Sequence, residues 1–492
     1  MFKNIKRVLI SYWPLFVILL VAGSLFFFQL GREPLWDWDE CIYTQYGKEM
    51  KSSGNFLTNQ WNGGTRLEKP PGYSILLQLP FAFGINEFSS RFLAVLMGLG
   101  LIAAVYILAR KYFSQEVAIL SSLLLLTSEA VVIYSLRANT ELAFALCVVL
   151  GVYFWLRSDE KKSLSYVAGV FFGIGVMIKG LAIQFLPPLF LSVFIDFKKE
   201  RFLNFLRVLA AFLVVIAPWH IMQFLQHGNH FYQIYIYENI IKKVDNPVEF
   251  HFGGRLFYFK LFFQELYPWV FFVLVLPVYY LLNLKKFLNK KNFLKEIKNQ
   301  RVLACLLLFV VIPLALLTRA QTKIAWYTLS IYPFLSIILA YSISLFFSSK
   351  KLKPLFYVLM ILVMLDAGRL MINETRLTKS GPDISPRYKT LKEVAKVEGD
   401  TLDYLVQYSE RRGWETLSKN LTTSTTFIYG GNPCAVYYTG KKVNYYYEIK
   451  KFQERVKKGG GLYLLENGDL WTVKDLPVKK IYGNLDFTLF RN

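Results

Sequence analysis

A chain of 492 residues that is 54% hydrophobic and 17% aromatic, with mean hydropathy +0.35, is more apolar than a soluble protein of this size, which leaves a multi-span membrane protein as its class. Its net charge of +23 would suggest nucleic acid in a soluble protein, but the lysines and arginines sit mostly in short connections between apolar segments, which argues against nucleic-acid binding. Cys41, Cys147, Cys305 and Cys434 are far apart and form no CxxC pair, so neither a disulfide framework nor a zinc knuckle is expected.

MFKNIKR precedes an apolar run from Val8 to Leu30. The run is long enough to span and no small-residue cleavage site follows it, so it reads as a retained transmembrane helix rather than a signal peptide. Further apolar runs lie at 88–109, 117–135, 141–156, 163–178, 181–196, 203–225, 263–284, 302–318, 326–347 and 354–372. The expectation is a mainly α, polytopic membrane protein with about eleven transmembrane helices, up to thirteen if segments split. With a cytoplasmic amino terminus, Arg110-Lys111 and the runs RSDEKK, FKKERF, NLKKFLNKKNFLKEIKNQR and SSKKLK all fall on the cytoplasmic side, as the positive-inside rule requires. Loops 31–87 and 226–262 and the stretch 373–492 are then extracytoplasmic. This divides the chain into a membrane domain, 1–372, and a soluble extracytoplasmic α/β domain, 373–492, with strand-like TTFIYGG, GGLYLLE and DLWTVK and helix-like PRYKTLKEVAKV and YEIKKFQERVKK.

The first outer loop carries WDWDECIYTQ, with Asp37, Asp39 and Glu40 just beyond a span. Asp39, Tyr43, Tyr46 and Met50 follow at helical spacing and share one face of a short helix along the membrane surface; a solvated acidic face is the plainer alternative. Asp37 reads as a structural or capping acid. Farther on come Glu68 and Lys69 before Pro70-Pro71, Arg137 with Glu141, and Lys179-Gly180 between two short spans. Lys242-Lys243, Arg255, Lys260 and Lys323 are further outer cations, which topology does not favour there and which together suit an anion. All four histidines lie on or beside the second outer loop. His227, His230 and His251 are the candidate set for a divalent metal; none is required, and hydrogen-bonding roles are the plainer reading.

These motifs, in this order, resemble the C-type (GT-C) lipid-linked-sugar glycosyltransferases, in particular the aminoarabinose transferase branch and the protein O-mannosyltransferases. The likeness rests on Asp39-Glu40 with Tyr43, Glu68-Lys69-Pro70-Pro71, Arg137 with Glu141, and Lys179-Gly180. It continues with Pro218-Trp219, Glu238-Asn239, His251, and Lys323-x-x-Trp326-Tyr327 with Pro333. Ile42 stands where a basic residue is usual, Glu141 where Asp is common, and no Trp-Trp-Asp-Tyr-Gly signature is present. The resemblance implies an inverting glycosyltransferase. It would take a sugar from a polyprenyl (undecaprenyl-type) phosphate, at the outer face of a bacterial cytoplasmic membrane, to a glycolipid such as lipid A or to a protein. Asp39 would be the base, with Glu40 orienting or assisting. Lys69, Lys179, Arg137 and Arg255 would meet the phosphate. Tyr43, Glu68, Glu141, Glu238, Asn239, His251, Lys323, Trp326 and Tyr327 would line the sugar and acceptor pocket. A transporter or flippase would instead carry its charges deep within the spans.

Overall fold

The computed structural model describes residues 2–28, 30–36, 38–180, 184–247, 251–282, 300–377, 385–408, 411, 429–430 and 432–492. Ten helices open the chain: α1 Phe2–Phe27, α2 Asp39–Ser53, α3 Gly72–Phe81, α4 Glu87–Tyr112, α5 Gln115–Leu125, α6 Glu129–Ser135, α7 Glu141–Arg157, α8 Ser163–Lys179, α9 Leu186–Ser192 and α10 Lys199–His227. Apolar helices Arg301–Arg319, Tyr332–Phe346 and Lys353–Leu377 follow. Among the described residues four helices are long and apolar enough to cross a membrane, six if each of two bent pairs counts as one span, and four shorter apolar helices accompany them.

The bent pairs correct two expected single spans. The run 117–135 is α5 and α6, turned by 75° at the break, where Ser128 caps α6 by accepting from the Val131 amide and donates to Glu265. The run 263–284 is Phe257–Glu265 and Trp269–Leu282, turned by 113° around Pro268, whose missing amide and fixed φ break the helix. Hydropathy registers the greasy residues and is blind to the break. The basic stretch 283–299 lies outside the described residues.

α4, α5, α7, α8 and Tyr332–Phe346 form the packed centre, with Trp155, Tyr106, Phe144 and Tyr332 fully buried. Small residues set the approach distances. A Cβ at Gly169 would meet the Val208 carbonyl oxygen of α10 at 2.2 Å, and one at Gly72 would meet the Met177 carbonyl oxygen of α8 at 2.4 Å. Gly72 therefore holds α3 against the end of α8. Gly72→Ala should cost about 1–3 kcal/mol by overpacking, read as a lower unfolding temperature of the solubilised protein; an unchanged temperature would show that α3 moves freely.

Beyond residue 400 a mixed sheet forms from β3 Thr401–Leu405, β4 Lys442–Tyr446, β5 Leu462–Glu466, β6 Lys479–Gly483 and β7 Phe487–Arg491, in the order β4-β3-β5-β7-β6. β3 pairs parallel with β4 and β5, while β7 pairs antiparallel with β5 and β6. The runs PRYKTLKEVAKV and YEIKKFQERVKK form helices Ser385–Lys396 and Ile449–Lys457, and GGLYLLE carries β5. DLWTVK, expected as a strand, is a 3₁₀ helix over Asn467–Val473, tightened by Thr472 donating to the Asp469 carbonyl. Most of TTFIYGG lies outside the described residues.

The cysteine expectation is also corrected. Cys41 and Cys434 form a disulfide with their Cα atoms 5.0 Å apart, across 393 residues of sequence. It ties α2 to helix Cys434–Thr439, while Cys147 and Cys305 are free and buried. Asn62 completes the junction, donating to the Val443 carbonyl at 2.7 Å and accepting from the Val443 amide at 2.9 Å. Asn62 sits with Gly63 in a left-handed turn between β1 Asn59–Trp61 and β2 Gly64–Arg66.

Candidate active site

α2 begins immediately after Trp38, whose φ of 69° and ψ of −110° are unusual for a residue with a side chain. Such a backbone costs about 1–3 kcal/mol and persists only where its surroundings enforce it. The enforcement comes from Glu40. Its carboxylate accepts from the Trp36 amide at 2.8 Å, the Ala138 amide at 2.7 Å, Arg91 Nε at 3.0 Å and Arg91 Nη2 at 2.8 Å. Arg91, on α4, spends its remaining donors on the carbonyls of Leu30, Glu33 and Pro34. Burial alone would raise the Glu40 carboxyl, but the Arg91 charge and these hydrogen bonds hold it below its ordinary value. Glu40 is thus a buried ionised anchor joining four segments and does not line the cleft described next, which revises its expected place beside Asp39 in catalysis.

Asp39 is on the other side of the same turn. It lines a polar cleft with Glu68, Lys69, Glu141, Lys179, Gly180, Tyr235, Asn239, Ile240, Lys243, His251, Ile324, Trp326 and Tyr327. Each wall follows from local sequence. Pro70-Pro71 stiffen the turn into α3, and Asn59 holds it by donating to the carbonyls of Lys69 at 3.1 Å and Pro70 at 3.3 Å. With Gly72 seated on Met177, this brings Lys69 beside the end of α8. Gly180 ends α8 in the left-handed conformation, φ 79°, where a Cβ would lie 3.0 Å from the Tyr235 hydroxyl. The Lys-Gly pair therefore leaves Lys179 pointing into the cleft. Opposite, a π-helix over Tyr232–Ile241 turns Tyr235 and Asn239 inward, a distortion frequent at functional sites. The 325–328 turn presents Trp326 edge-on to His251, with centroids 5.7 Å apart, and is held where Gln184 Nε2 donates to the Tyr327 carbonyl at 3.2 Å.

Three carboxylates and three lysines meet here. Lys179 and Glu141 form a buried ion pair, and the Lys179 ammonium also lies 4.5 Å from the Tyr327 ring centroid. Lys69 bonds the Tyr43 hydroxyl and sits 4.6 Å from that ring's centroid. Burial pulls Lys69 downward, but Asp39 leads the negative groups that outweigh it and hold the ammonium above its ordinary value. Glu68 is raised by burial, and its Oε2 is buried with no hydrogen-bond partner among the described residues. A carboxylate next to a firmly protonated lysine can take a proton from a hydroxyl while the lysine neutralises a leaving anion.

Several expected residues stand elsewhere. Arg137 lies flat on Trp36, 3.3 Å from its ring centroid. Glu238 pairs with Lys242 at 2.7 Å, one helical turn away. Lys323 caps the end of Arg301–Arg319, giving its ammonium to the carbonyls of Leu317, Thr318 and Ala320. Lys323 also borders, with Arg255, Arg319 and Phe259, a neighbouring groove of about 870 Å³ lined by Val311, Leu314 and Ala315. His227 and His230 end α10 and begin the next segment, away from His251. Among the described residues no three His, Cys, Asp or Glu side chains gather as a metal site, so the candidate histidine set is not assembled. Asp37 lies outside the described residues. Sequence reasoning missed Tyr235 and Arg91. For Arg91 the signal was present, as an arginine near the end of an apolar span four residues after Glu87.

The model of the dolichyl-phosphate-mannose-protein mannosyltransferases matches residues 68–222. The undecaprenyl phosphate-alpha-4-amino-4-deoxy-L-arabinose arabinosyl transferase 1 of Pseudomonas fluorescens is 28% identical over 330 residues, 64% of this chain and 57% of that protein. The chain thus spans little more than half of that relative's length. A protein of Aquifex aeolicus is 27% identical over 383 residues, 69% of this chain and 75% of its own. In fold, ArnT from Cupriavidus metallidurans bound to undecaprenyl phosphate superposes with a TM-score of 0.69 at 14% identity, covering 98% of both chains. The archaeal oligosaccharyltransferase AglB from Archaeoglobus fulgidus does so with a TM-score of 0.56 at 12% identity, covering 94% of this chain and 71% of that one. The chain is thus similar in sequence, over part of its length, to lipid-linked-sugar glycosyltransferases, and it shares the fold of ArnT and AglB.

Proposed function

We propose that the protein transfers a sugar from a polyprenyl phosphate, with inversion, to a hydroxyl of a glycolipid or protein acceptor at the extracytoplasmic face of the cytoplasmic membrane. The observation that carries this is Asp39 sharing one cleft with Lys69 and the Lys179–Glu141 pair. The acceptor hydroxyl loses its proton to Asp39 as its oxygen attacks the anomeric carbon. The bond from that carbon to the phosphate oxygen breaks on the opposite face, and Lys69 meets the phosphate charge. Lys179, freed from Glu141 when an anion arrives, is the second cation. The adjoining groove, apolar along Phe259, Val311 and Leu314 with Arg255 and Arg319 at its edge, suits a prenyl chain beside its phosphate. Undecaprenyl phosphate is named with the ArnT structure and with the Pseudomonas relatives, which supports this donor class. The Cys41–Cys434 disulfide supports an oxidising compartment for α2 and for the C-terminal sheet, in keeping with the basic connections on the opposite side. Tyr43, Asn239 and His251 are assigned to the sugar pocket.

The test is release of free polyprenyl phosphate from a labelled lipid-linked sugar by the purified protein. Lys69→Ala should weaken donor affinity about 10–100-fold, as loss of a charge-assisted hydrogen bond does; unchanged donor affinity would remove Lys69 from the phosphate site.

A further inference from the structure

Between α1 and α2 the chain has no helix or strand over 30–36, so its course depends on where its backbone groups find partners. Arg91 and Glu40 supply some of them. Leu35 is buried and is served from the far end of the sequence. Its amide donates to the Tyr438 hydroxyl at 2.8 Å, and its carbonyl accepts from the Tyr388 hydroxyl. Tyr388 lies on helix Ser385–Lys396 and Tyr438 on helix Cys434–Thr439, with ring centroids 4.9 Å apart. Both helices belong to the unit that carries the C-terminal sheet, and Asn484, between β6 and β7, ties the first of them to it by donating to Thr390 Oγ1 at 2.6 Å. That unit rests on the first turn of α4, where Glu87 accepts from Tyr438 at 3.2 Å and pairs with Lys392 at 3.3 Å. Beyond Trp38 the same unit grips α2, through the Cys41–Cys434 bond and through Lys48, which donates to the Tyr437 carbonyl at 3.0 Å. The strained Trp38 and the Asp39 after it thus stand between two attachments to one unit, at Leu35 and at Cys41.

We propose that the C-terminal unit holds the catalytic carboxylate in place, with Tyr388, Tyr438 and Cys434 as positioning residues for Asp39. A backbone as unfavourable as that of Trp38 persists only where its surroundings over-determine it, and Glu40 with Arg91 fixes the turn from one side only. Without the tyrosine and cysteine attachments, Trp38 relaxes toward an ordinary conformation and carries Asp39 away from the acceptor hydroxyl. A displacement of about 1 Å at a reacting group costs about 100-fold in rate, so attachments that never meet the substrate govern turnover. This rests on Asp39 as the base, proposed above, and adds what keeps it there and which part of the chain supplies it.

The test replaces the wild type by each full-length variant in the organism that makes the protein, where donor and acceptor are the native ones. Mass spectrometry of envelope lipids and proteins reads the transferred sugar per unit of inserted protein, and the purified protein in nanodiscs is titrated with undecaprenyl phosphate. Tyr388→Phe combined with Tyr438→Phe, and separately Cys434→Ser, should lower the sugar product about tenfold and leave undecaprenyl phosphate affinity within about twofold. Asp39→Glu moves the carboxylate by one methylene and should cost about 100-fold in the wild type. In the double tyrosine variant, whose carboxylate is already displaced, the same change should cost less than about tenfold more. A purely structural loss would lower the amount of protein and leave the cost of Asp39→Glu as it is in the wild type. Unchanged product per unit of protein in either variant, full multiplication of the tyrosine and Asp39→Glu losses, or an equal fall in undecaprenyl phosphate affinity overturns the inference while the proposed function stands. Envelope sugars that are the same with and without the wild-type protein overturn the proposed function and the inference with it.

Discussion

Asp39→Asn is expected to abolish transfer while the protein inserts and folds as before. The side chain keeps its shape, and Asp39 takes no part in the Glu40–Arg91 network that fixes the start of α2, so stability has little to lose. What goes is the only proton acceptor on α2 that faces the cleft. A positioned general base contributes about 10²–10⁴-fold, and the variant should fall by that factor in kcat with donor affinity near normal. Turnover close to wild type would take Asp39 out of the mechanism and leave Glu68 or Glu141 as the cleft carboxylates to examine.

Arg91→Met should do the opposite, damaging the fold first and activity through it. Glu40 would keep its burial and lose its counter-ion, and breaking a buried pair from one side costs about 3–5 kcal/mol. A steep drop in unfolding temperature follows. The double variant Arg91→Met with Glu40→Met should recover most of that stability, because two apolar side chains leave no stranded charge. It should not recover turnover, since the amides of Trp36 and Ala138 would no longer be tied to the first turn of α2. Full activity in the double variant would mean that Asp39 is positioned without this network.

Much of the site was legible because its motifs are local. Asp39, Tyr43 and Tyr46 share one face of a real helix, as their spacing required, and Pro70-Pro71 and Gly180 each do a backbone job that their chemistry announces. The solvated-face alternative fails because Tyr43, Tyr46 and Met50 are buried. Adjacent acids were harder. Asp39 and Glu40 look alike in sequence, and only Arg91, 51 positions on, separates an open carboxylate from an anchored one. Lys179 was read as a free cation because its partner Glu141 lies 38 positions away, across a helical hairpin. Cation counting likewise misread Lys323, whose three carbonyl partners exist only because a helix ends beside it.

The Cys41–Cys434 bond also constrains how the chain threads the membrane. Two cysteines can be joined only on the same side, so the polypeptide between them must cross the bilayer an even number of times. The apolar runs between those positions number ten, which satisfies the condition. If α5–α6 or the pair around Pro268 dips in and returns on the side it entered, the tally drops by one, and a single such change is forbidden. The two bent pairs must therefore both cross or both turn back, unless another segment alters its passage to compensate. One covalent bond outside the membrane thus limits the folding of every helix within it.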